Sequence, residues 1–452
     1  MNIIIAGSGK VGTSLARQLS AEGHDLTLID LNRATLEDLS SQLDVMCVQG
    51  NCASLPTLQQ AGIMDADLLI AATNSDELNL LCCTTAHGIN PKIHTIGRIR
   101  NPEYTQQIYA LKDVFALSLS VNPERQAASE IEQLLRLPGF LHRDTFAKGR
   151  TNIVELRVSA DSKLCNQPLM AMNGIVKCRV LVCAVIRDGQ AIIPSGNFVL
   201  QEGDRIFVTA PTANLSTLLR NLGMLAKRAR KVILCGGGRV SYYLAQQLCR
   251  AGVSVTLIER NPDRCVQLAA MLPDASVIQG DATDRTLLEE QGLSDCDALV
   301  TLTGIDELNM IISLYGTGCG VPQVITKLGR VQNRSIAESL ELGSVVYPRE
   351  LCSSQIVRYV RAMQNQSGAA VSVHFIADGQ VEAIEFAVDA ETKHCGKALK
   401  EIKLRPNVLL VSITHGASTS IPNGDSVFQQ GDSIVVVTSG RGQLRRINDI
   451  FA

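Results

Sequence analysis

Residues 1–19 read MNIIIAGSGKVGTSLARQL, a short apolar run that leads into a glycine-rich turn and then into a helical pattern. The glycines at positions 7, 9 and 12 have the G-x-G-x-x-G spacing that joins strand to helix in dinucleotide-binding domains. Gly7 permits the tight turn, Gly9 lets a pyrophosphate approach bare backbone, and Gly12 lets the helix pack closely on the sheet. The stretch therefore predicts the first strand, turn and helix of a Rossmann-like domain.

An acidic residue completes the pattern. Asp30 ends a predicted strand, 18 residues after Gly12. Its carboxylate would accept hydrogen bonds from an adenosine ribose and repel a 2′-phosphate, so NAD(H) or an adenine nucleotide is favoured over NADP(H). The N–H groups at the helix start would face the phosphates, and Lys10 is interpreted either as an added phosphate contact or as a solvated helix charge. The expected first turn comprises Gly7, Ser8, Gly9, Lys10 and Val11.

The turn and its acid occur a second time. Residues 236–241 read GGGRVS, 229 positions after the first turn, and Glu259 stands 229 positions after Asp30. Ser241 replaces the third glycine and is small enough to keep the helix close to the sheet. The expected second turn comprises Gly236, Gly237, Gly238, Arg239 and Val240.

Further blocks repeat at nearly the same distance. The tetrapeptide DELN at 76–79 returns unchanged at 306–309, and the Ile-Pro and Gly-Asp elements of 193–204 return at 421–432. Motifs that recur at a nearly constant spacing predict a tandem duplication. Each half is expected to hold two unlike domains, because strands alternate with helices in its first part and strands alternate with turns in its second part.

The predicted fold class is α/β, with a Rossmann-like, doubly wound parallel sheet domain followed by a small sheet-rich α+β domain, both duplicated. A sixth strand is predicted over 111–119, and a helix is predicted over 122–137. The second half is expected to repeat this helix from 348 to about 364. Apolar positions on 122–137 and 353–363 are expected to be exposed and to serve assembly. The predicted division is 1–140 and 231–365 for the Rossmann-like domains, 150–213 and 368–452 for the small domains, and 214–230 for a linker helix.

Other candidate site residues follow the later strands, because the carboxyl ends of parallel strands border the binding crevice. Two of these residues follow the fourth strand of each half. Their alternative role is structural, as part of a capping box with Glu77 or Glu307. The third strand leads to residues at the expected adenine edge, and an arginine after the fifth strand is a candidate phosphate contact. In chain order these residues are Asn51, Cys52, Thr73, Asn74, Arg98, Asp281, Ala282, Thr303, Gly304 and Arg330.

Composition excludes several classes of protein. Hydrophobic residues make up 46% and charged residues 19%, which predicts an ordered globular chain. A net charge of −2 and the absence of Trp argue against nucleic-acid binding. No apolar run reaches the length of a membrane span, and the N-terminus lacks the features of a signal peptide. Fourteen cysteines without a C-x-x-C pair indicate free thiols in a reducing cytoplasm, and seven scattered histidines indicate no metal site.

At this point the sequence resembles a known family. The first turn, Asp30 and the segments 48–54 and 72–79 look like the N-terminal part of an RCK domain, a regulator of potassium conductance. The Ile-Pro and Glu-Gly-Asp elements of 193–204 resemble its small C-terminal part. Two such units in one chain are similar to the cytosolic NAD-binding regulatory subunits of Trk-type potassium uptake systems.

The resemblance implies four chains that form a ring of eight RCK units beneath a membrane-embedded potassium-translocating subunit, on the cytoplasmic face of the inner membrane. It also implies that NAD(H) and ATP or ADP bind the Rossmann-like domains and change the shape of the ring. Asn51 and Cys52 depart from the Gly-Asp-Ala pattern that Asp281 and Ala282 keep, so the two sites are expected to differ. The alternatives are an NAD-dependent oxidoreductase, for which no catalytic pair is found, and a regulator of another cation transporter or antiporter.

Overall fold

A computed structural model describes most of the chain and contains four sheets within the described residues. Two are six-stranded and parallel, and each is followed by a five-stranded antiparallel sheet. The predicted fold class is therefore confirmed. The described residues are 1–136, 139–224, 229–330, 333, 336–337, 340, 342–363, 370–439, 444 and 446–452.

The first parallel sheet has the strand order β3-β2-β1-β4-β5-β6, so its topological switch point lies between β1 and β4. Its central strands carry runs of Ile and Leu because helices cover both faces. The strands are β1 (Asn2–Ala6), β2 (Asp25–Asp30), β3 (Met46–Gln49), β4 (Leu68–Ala71), β5 (His94–Arg98) and β6 (Leu119–Val121). The helices are α1 (Lys10–Ala21), α2 (Arg33–Gln42), α3 (Leu55–Gln60), α4 (Asp76–Ile89), α5 (Pro102–Leu111) and α6 (Pro123–Arg136).

The first small domain is an antiparallel sheet of order β10-β9-β11-β8-β7 with two short helices. Its first strand precedes the predicted boundary at 150, because β7 pairs with β8 along its whole length. The strands are β7 (His142–Phe146), β8 (Thr151–Arg157), β9 (Leu181–Arg187), β10 (Gln190–Ile192) and β11 (Arg205–Pro211), and the helices are α7 (Met172–Val176) and α8 (Leu215–Leu222). The other boundaries stay predictions, and we propose them as the domain limits.

The second half repeats this arrangement, with sheet orders β14-β13-β12-β15-β16-β17 and β18-β19-β22-β20-β21. Its parallel strands are β12 (Lys231–Cys235), β13 (Ser254–Glu259), β14 (Ser276–Gln279), β15 (Ala298–Thr301), β16 (Gln323–Lys327) and β17 (Ser344–Val346). Its helices are α9 (Arg239–Arg250), α10 (Pro262–Met271), α11 (Arg285–Glu290), α12 (Asp306–Gly318) and α13 (Pro348–Met363). The antiparallel strands are β18 (Ala370–Ile376), β19 (Val381–Ala387), β20 (Val408–His415), β21 (Ser418–Ser420) and β22 (Ser433–Thr438).

Two local predictions are wrong. The sixth strand forms only at Leu119–Val121, because α5 continues to Leu111 and the chain must first return to the sheet. The linker helix predicted over 214–230 ends at Leu222, since Gly223 adopts a left-handed conformation with φ +74°. Four leucines of α8 pack into the core of the first small domain, so α8 is part of that domain. Residues 225–228 lie outside the described residues.

The two halves exchange helices. The apolar face of α6, which includes Ile131 and Leu135, is buried in the core of the second Rossmann-like domain. In return, Ile356 and Val360 of α13 are buried in the core of the first. The prediction that these helix faces are exposed for assembly is therefore wrong, because each face completes a core within the same chain.

The two small sheets also pack on each other. Phe146 and Phe207 of the first sheet share one hydrophobic cluster with Val381 and Val435 of the second. Polar contacts join the same surfaces. Arg205 donates two hydrogen bonds to the carboxylate of Asp378 at 2.8 and 2.9 Å. Within the part of the chain that the structure describes, no helix has the length and apolar character needed to cross a membrane.

The helix exchange predicts that a change in the second half destabilises the first. Replacing the fully buried Ile356 with alanine (Ile356→Ala) removes apolar atoms from the core around β1, so we expect a loss of about 2–5 kcal/mol in the free energy of unfolding. Urea denaturation measures the loss, and hydrogen exchange of β1 locates it. The matched control is Val266→Ala, at an exposed position, with an expected change within about 0.5 kcal/mol. Equal effects of the two variants would contradict the helix exchange.

Candidate functional site

The first glycine-rich turn is closed by neighbouring backbone. Gly7 has φ +98°, and its N–H donates to the carbonyl oxygen of Ile29 at 2.8 Å. A Cβ on Gly7 would lie 2.8 Å from the backbone nitrogen of Thr73. A Cβ on Gly12 would lie 1.9 Å from the carbonyl oxygen of Gly7. Both glycines are therefore required by packing, as the sequence predicted.

Gly9, between them, faces open space. No described atom lies within 4 Å of where its Cβ would be. Gly9 is the N-cap of α1, and no described side chain caps this helix or places an acid in its first turn. The free N–H groups and the positive end of the helix dipole are thus available to an anion. Lys10 is exposed beside them, whereas Val11 is buried in the core.

The second turn has the same geometry. Gly236 has φ +107° and donates its N–H to the carbonyl oxygen of Ile258 at 2.8 Å. Gly238 is the N-cap of α9, and in the described chain no atom lies within 4 Å of where its Cβ would be. Ser241 is buried, and its hydroxyl donates to the carbonyl oxygen of Gly236. Serine is thus accommodated at the position of the third glycine. Arg239 is exposed and Val240 is buried, like their counterparts in the first half.

Each acid binds its own turn. Asp30 accepts hydrogen bonds from the N–H of Ser8 at 2.6 Å and from the N–H of Asn32 at 2.9 Å. Glu259 accepts from the N–H of Gly237 at 2.6 Å through one carboxylate oxygen. A carboxylate oxygen can accept more than one hydrogen bond, so ribose hydroxyls can be added to these contacts.

The acid and the residue at the tip of the turn are matched in size. A Cβ on Gly237 would lie 2.9 Å from both Cγ and Oε2 of Glu259 and 2.7 Å from Cδ1 of Leu268. In the first half the shorter Asp30 leaves room for Ser8, which is buried. The longer acid therefore requires glycine beside it, and the shorter acid permits serine.

The repeated DELN tetrapeptide joins the ends of two strands. Asn79 is fully buried, accepts from the N–H and the hydroxyl of Thr73 at 2.9 and 2.7 Å, and donates to the carbonyl oxygen of Arg98 at 2.8 Å. Asn309 makes the corresponding bonds to Thr303 and Lys327. The tetrapeptide thus fixes the end of the fourth strand against the fifth at the edge of the crevice.

The predicted capping box does not form at this helix, because the N-cap lies one residue later and the third helical residue is then Leu78, which has no carboxylate. The N-cap of α4 is Ser75, not Asn74, and its hydroxyl accepts from the N–H of Leu78 at 3.1 Å. In the second half, Ile305 stands at the N-cap and provides no side-chain bond, while Gly304 is exposed. The side chain of Asn74 is exposed at the crevice, where its Oδ1 accepts from Arg98 at 3.4 Å.

A cation lies at the end of the fifth strand in each half: Arg98 is buried and Lys327 is half-buried. Arg98 donates to the carbonyl oxygen of Thr73, and its Nε has no hydrogen-bond partner among the described residues. The ammonium of Lys327 donates to the carbonyl oxygens of Leu302 and Thr303 at 3.2 and 2.7 Å. Desolvation lowers the pKa of both cations. An anionic ligand at this edge would stabilise the charged form of each cation and so offset the cost of desolvation.

Arg330 was predicted as the counterpart of Arg98, and this equivalence is wrong. Lys327 stands one repeat, 229 positions, after Arg98, a signal that the sequence already contained. Arg330 is exposed and pairs with Glu307 at 3.3 Å, while its backbone N–H donates to Asp306 at 2.9 Å. It belongs to the loop after the fifth strand and not to the strand end.

The two third-strand ends differ in detail. Asn51 is exposed and its Oδ1 accepts from the N–H of Ala53 at 3.0 Å. Asp281 is exposed and accepts from the N–H and the hydroxyl of Thr283 at 2.9 and 2.8 Å, which lowers the pKa of its carboxyl group. Cys52 and Ala282, the next residues, are buried beneath these turns. The predicted adenine edges thus present an amide in one half and a carboxylate in the other.

The size match between the turn residue and the acid predicts that a second substitution restores stability lost in the first. Gly237→Ser places atoms against Glu259, so we expect a loss of about 1–3 kcal/mol in stability. Adding Glu259→Asp recreates the Ser8–Asp30 pair of the first half and should restore most of that loss. Urea denaturation of the two single variants and the double variant measures the coupling. Additive effects of the two substitutions would contradict the match.

Family comparisons agree with this geometry. The model of the TrkA-N domain matches residues 3–116 and 232–348, and that of the TrkA-C domain matches 153–223 and 383–451. The Trk system potassium uptake protein TrkA of Halomonas elongata is 29% identical over 100% of this chain and 98% of its own length. That of Vibrio alginolyticus is 29% identical with the same coverage, and the homolog of Archaeoglobus fulgidus is 29% identical over 100% of both chains.

Solved structures share the fold. The GsuK RCK domain superposes with a TM-score of 0.62 at 18% identity, over 96% of this chain and 92% of its own. The GsuK channel bound to NAD gives 0.61 at 18% identity, over 97% and 76%. The human SLO3 gating ring gives 0.51 at 12% identity, over 97% and 99%. The RCK resemblance is thereby confirmed, and because the domain models match both halves, the chain belongs to the family of proteins built from tandem TrkA-N and TrkA-C domains.

Proposed function

We propose that this chain is a nucleotide-sensing regulatory subunit of a Trk-type potassium uptake system. Nucleotide binding at the two turns changes the conformation of a ring of these chains and so controls potassium transport. The observation that carries the proposal is the open turn at Gly9 and at Gly238, each at an uncapped helix start beside a carboxylate. The names of the full-length relatives support potassium uptake as the process that is regulated.

The ligands we propose are NAD(H) and ATP or ADP. GsuK, which shares the fold, has been solved with NAD and with ADP. In the first site the proposed contacts are the turn residues Gly7, Ser8, Gly9, Lys10 and Val11, with Asp30, Asn51, Cys52, Thr73, Asn74 and Arg98. In the second they are Gly236, Gly237, Gly238, Arg239 and Val240, with Glu259, Asp281, Ala282, Thr303, Gly304 and Lys327. Arg330, exposed in the loop after β16 and paired with Glu307, is also a proposed phosphate contact of the second site.

The helix exchange supplies a physical route from nucleotide to ring. The nucleotide would bind at the start of α1, and α1 packs on α13 of the other half. Arg361 of α13 pairs with Glu22 at the end of α1, and Ser353 contacts Ser14 at 3.3 Å. Since α13 also packs against β18, a shift of α1 would reach the second small domain.

The opposite half has the matching route. α9 begins at the second turn and packs on α6 of the first half. The hydroxyl of Tyr243 on α9 contacts Thr105 and Asn122 at 3.1 Å each and donates to the carbonyl oxygen of Arg100 at 3.2 Å. A ligand controls transport only if it binds two ring conformations unequally, and a difference of about 1–3 kcal/mol alters the equilibrium 5–150-fold.

The proposed assembly is a tetramer, which forms a ring of eight RCK units under a membrane-embedded potassium-translocating subunit. We propose a peripheral position on the cytoplasmic face of the inner membrane. Matching helices of both halves expose apolar side chains: Leu81 of α4 is 56% exposed, and Ile311 of α12 is 59% exposed. Val114 is exposed beside Leu81, where Leu80, Ile108 and Phe115 line an apolar cavity of about 460 Å³. A surface that occurs twice per chain suits a closed ring, in which every unit contacts the next.

The proposed role is regulatory and not enzymatic. The residues proposed as nucleotide contacts include no histidine, and Cys52, the cysteine among them, is buried beneath its turn. NADH incubated with the pure protein and a panel of oxo acids should therefore stay reduced. Steady loss of NADH absorbance would instead support the oxidoreductase alternative.

The open turns predict a variant that folds but binds weakly. Gly9→Ala and Gly238→Ala add a methyl group where a phosphate would approach, so we expect nucleotide affinity to fall about tenfold or more, or ~1.4 kcal/mol. Unfolding should change by no more than about 1 kcal/mol at each site, because the added methyl meets no described atom and only the poorer N-cap preference of alanine acts. Calorimetric titration with NADH, ATP and ADP measures the affinities. Gly7→Ala is the contrasting control, expected to destabilise because its Cβ would meet Thr73. Unchanged affinity in the double variant would contradict the proposed sites.

The ring predicts that charge on the exposed helix faces prevents assembly. Leu81→Asp combined with Ile311→Asp places carboxylates in the proposed contacts between chains, so we expect the tetramer to separate into smaller species. Mass photometry measures the change, and Val266→Asp, at an exposed site on another face, is the control. A wild-type monomer, or a tetramer that the double variant leaves intact, would contradict this surface.

A further inference from the structure

Two cysteines meet beneath the turn that follows β3. Cys52 is 4% exposed, and Cys82 on α4 is fully buried. The thiol of Cys82 donates to the carbonyl oxygen of Cys52 at 3.1 Å, and the two thiols lie close enough to affect each other's ionisation. Both cysteines are free. The contact brings together two groups that can form a covalent bond.

The two thiols differ in acidity. The hydrogen bond from Cys82 lowers the pKa of Cys52 below its usual value, although burial opposes this. The same contact, together with burial, raises the pKa of Cys82 well above its usual value. Cys52 therefore forms the thiolate, the form that reacts with oxidants, more readily than Cys82 does. The adjacent Cys83 is fully buried, and burial raises its pKa to about 12, so it should be inert.

The fold does not require this pair. One repeat later, the positions of Cys52, Cys82 and Cys83 are occupied by Ala282, Ile312 and Ser313. Ala282 and Ile312 belong to one hydrophobic cluster of the second domain. Because the same architecture packs without sulfur in the second half, the paired thiols of the first half need an explanation other than packing.

We propose that Cys52 and Cys82 form a reversible disulfide in the presence of a hydroperoxide, and that this bond lowers the nucleotide affinity of the first site alone. The Cys52 thiolate attacks one peroxide oxygen and breaks the O–O bond, which leaves a sulfenic acid and releases hydroxide that takes up a proton to form water. The Cys82 thiol then attacks the sulfenic sulfur, an S–S bond forms, and a second water leaves. The two thiols lose two electrons and hydrogen peroxide gains them.

The effect on nucleotide binding rests on the proposed function. Asn51, at the predicted adenine edge, directly precedes Cys52, and its carbonyl oxygen accepts from the N–H of Ser54 at 2.9 Å. In a disulfide, Cys82 has no proton to donate, so the carbonyl of Cys52 loses its hydrogen bond. The sulfurs also move to about 2.05 Å from each other. Both changes displace the turn that carries Asn51 relative to α4.

Peptide mapping tests the disulfide independently of any nucleotide. The reduced full-length protein is treated with hydrogen peroxide, and the remaining thiols are blocked with N-ethylmaleimide. Lys and Arg are absent between Arg33 and Lys92, so trypsin leaves both cysteines in one peptide, and endoproteinase Asp-N must then separate them, for example at Asp65. We expect a linked Cys52–Cys82 pair, about 2 Da lighter than the two thiols, that dithiothreitol releases. Blocked thiols at both positions after peroxide treatment would overturn the proposal.

Three variants assign the chemistry. Cys52→Ala with Cys82→Ile installs the residues of the second half and should give no linked pair. Cys83→Ser, which also installs the second-half residue, is the matched control and should still link. Cys82→Ser, the closest change in volume, should stop the reaction at a sulfenic acid that dimedone traps on Cys52. Linkage of Cys52 to a different cysteine in these variants would contradict the assigned pair.

Titration in a Gly238→Ala background isolates the first site. Oxidation should lower the nucleotide affinity of this protein about fivefold or more, and dithiothreitol should restore it. The variant that combines Cys52→Ala and Cys82→Ile should respond to neither reagent. A linked pair without a change in affinity would overturn the regulatory part of the proposal. Failure of the reduced protein to bind any nucleotide would contradict the proposed function, while the peptide map would still decide the disulfide.

Discussion

The structure depends on one constraint: each Rossmann-like domain completes its hydrophobic core with a helix from the other half. α6 places Ile131 and Leu135 in the second domain, and α13 places Ile356 and Val360 in the first. A core that lacks such a helix would expose a large apolar face, so each half needs the other in order to fold stably. The packed faces of the small sheets, with the Arg205–Asp378 pair, extend the same dependence to the end of the chain.

This constraint connects the two glycine-rich turns to the interface between the halves. Each turn begins a helix, α1 or α9, whose outer face contacts the exchanged helix of the opposite half. A ligand bound at Gly9 or Gly238 therefore acts on an interface and not only on its own domain. Packed interfaces have a small number of discrete arrangements, so a small displacement at the turn can select between them.

Much of the fold and of the site could be predicted from the sequence. The spacing of glycines, the acids and the constant repeat distance predicted both parallel sheets and placed Gly7, Gly9 and Asp30 at one crevice. The exchange of helices could not be predicted, because an apolar helix face has the same pattern whether it contacts its own core, the other half or another chain. The length of α8 was overestimated because Gly223 ends it within an otherwise helical pattern. Lys327 was missed because the Gly-Arg dipeptide, and not the repeat distance, was used to find the match of Arg98.

The most direct test of the central claim is potassium uptake into vesicles that hold the translocating subunit of a Trk system together with this protein. Uptake is followed while NADH, ATP and ADP are titrated, with the wild type and with the variant that combines Gly9→Ala and Gly238→Ala. The account predicts that nucleotides change wild-type uptake and that the variant assembles normally but needs about tenfold or more nucleotide for the same change. Nucleotide control of the same strength and midpoint in both proteins would contradict it.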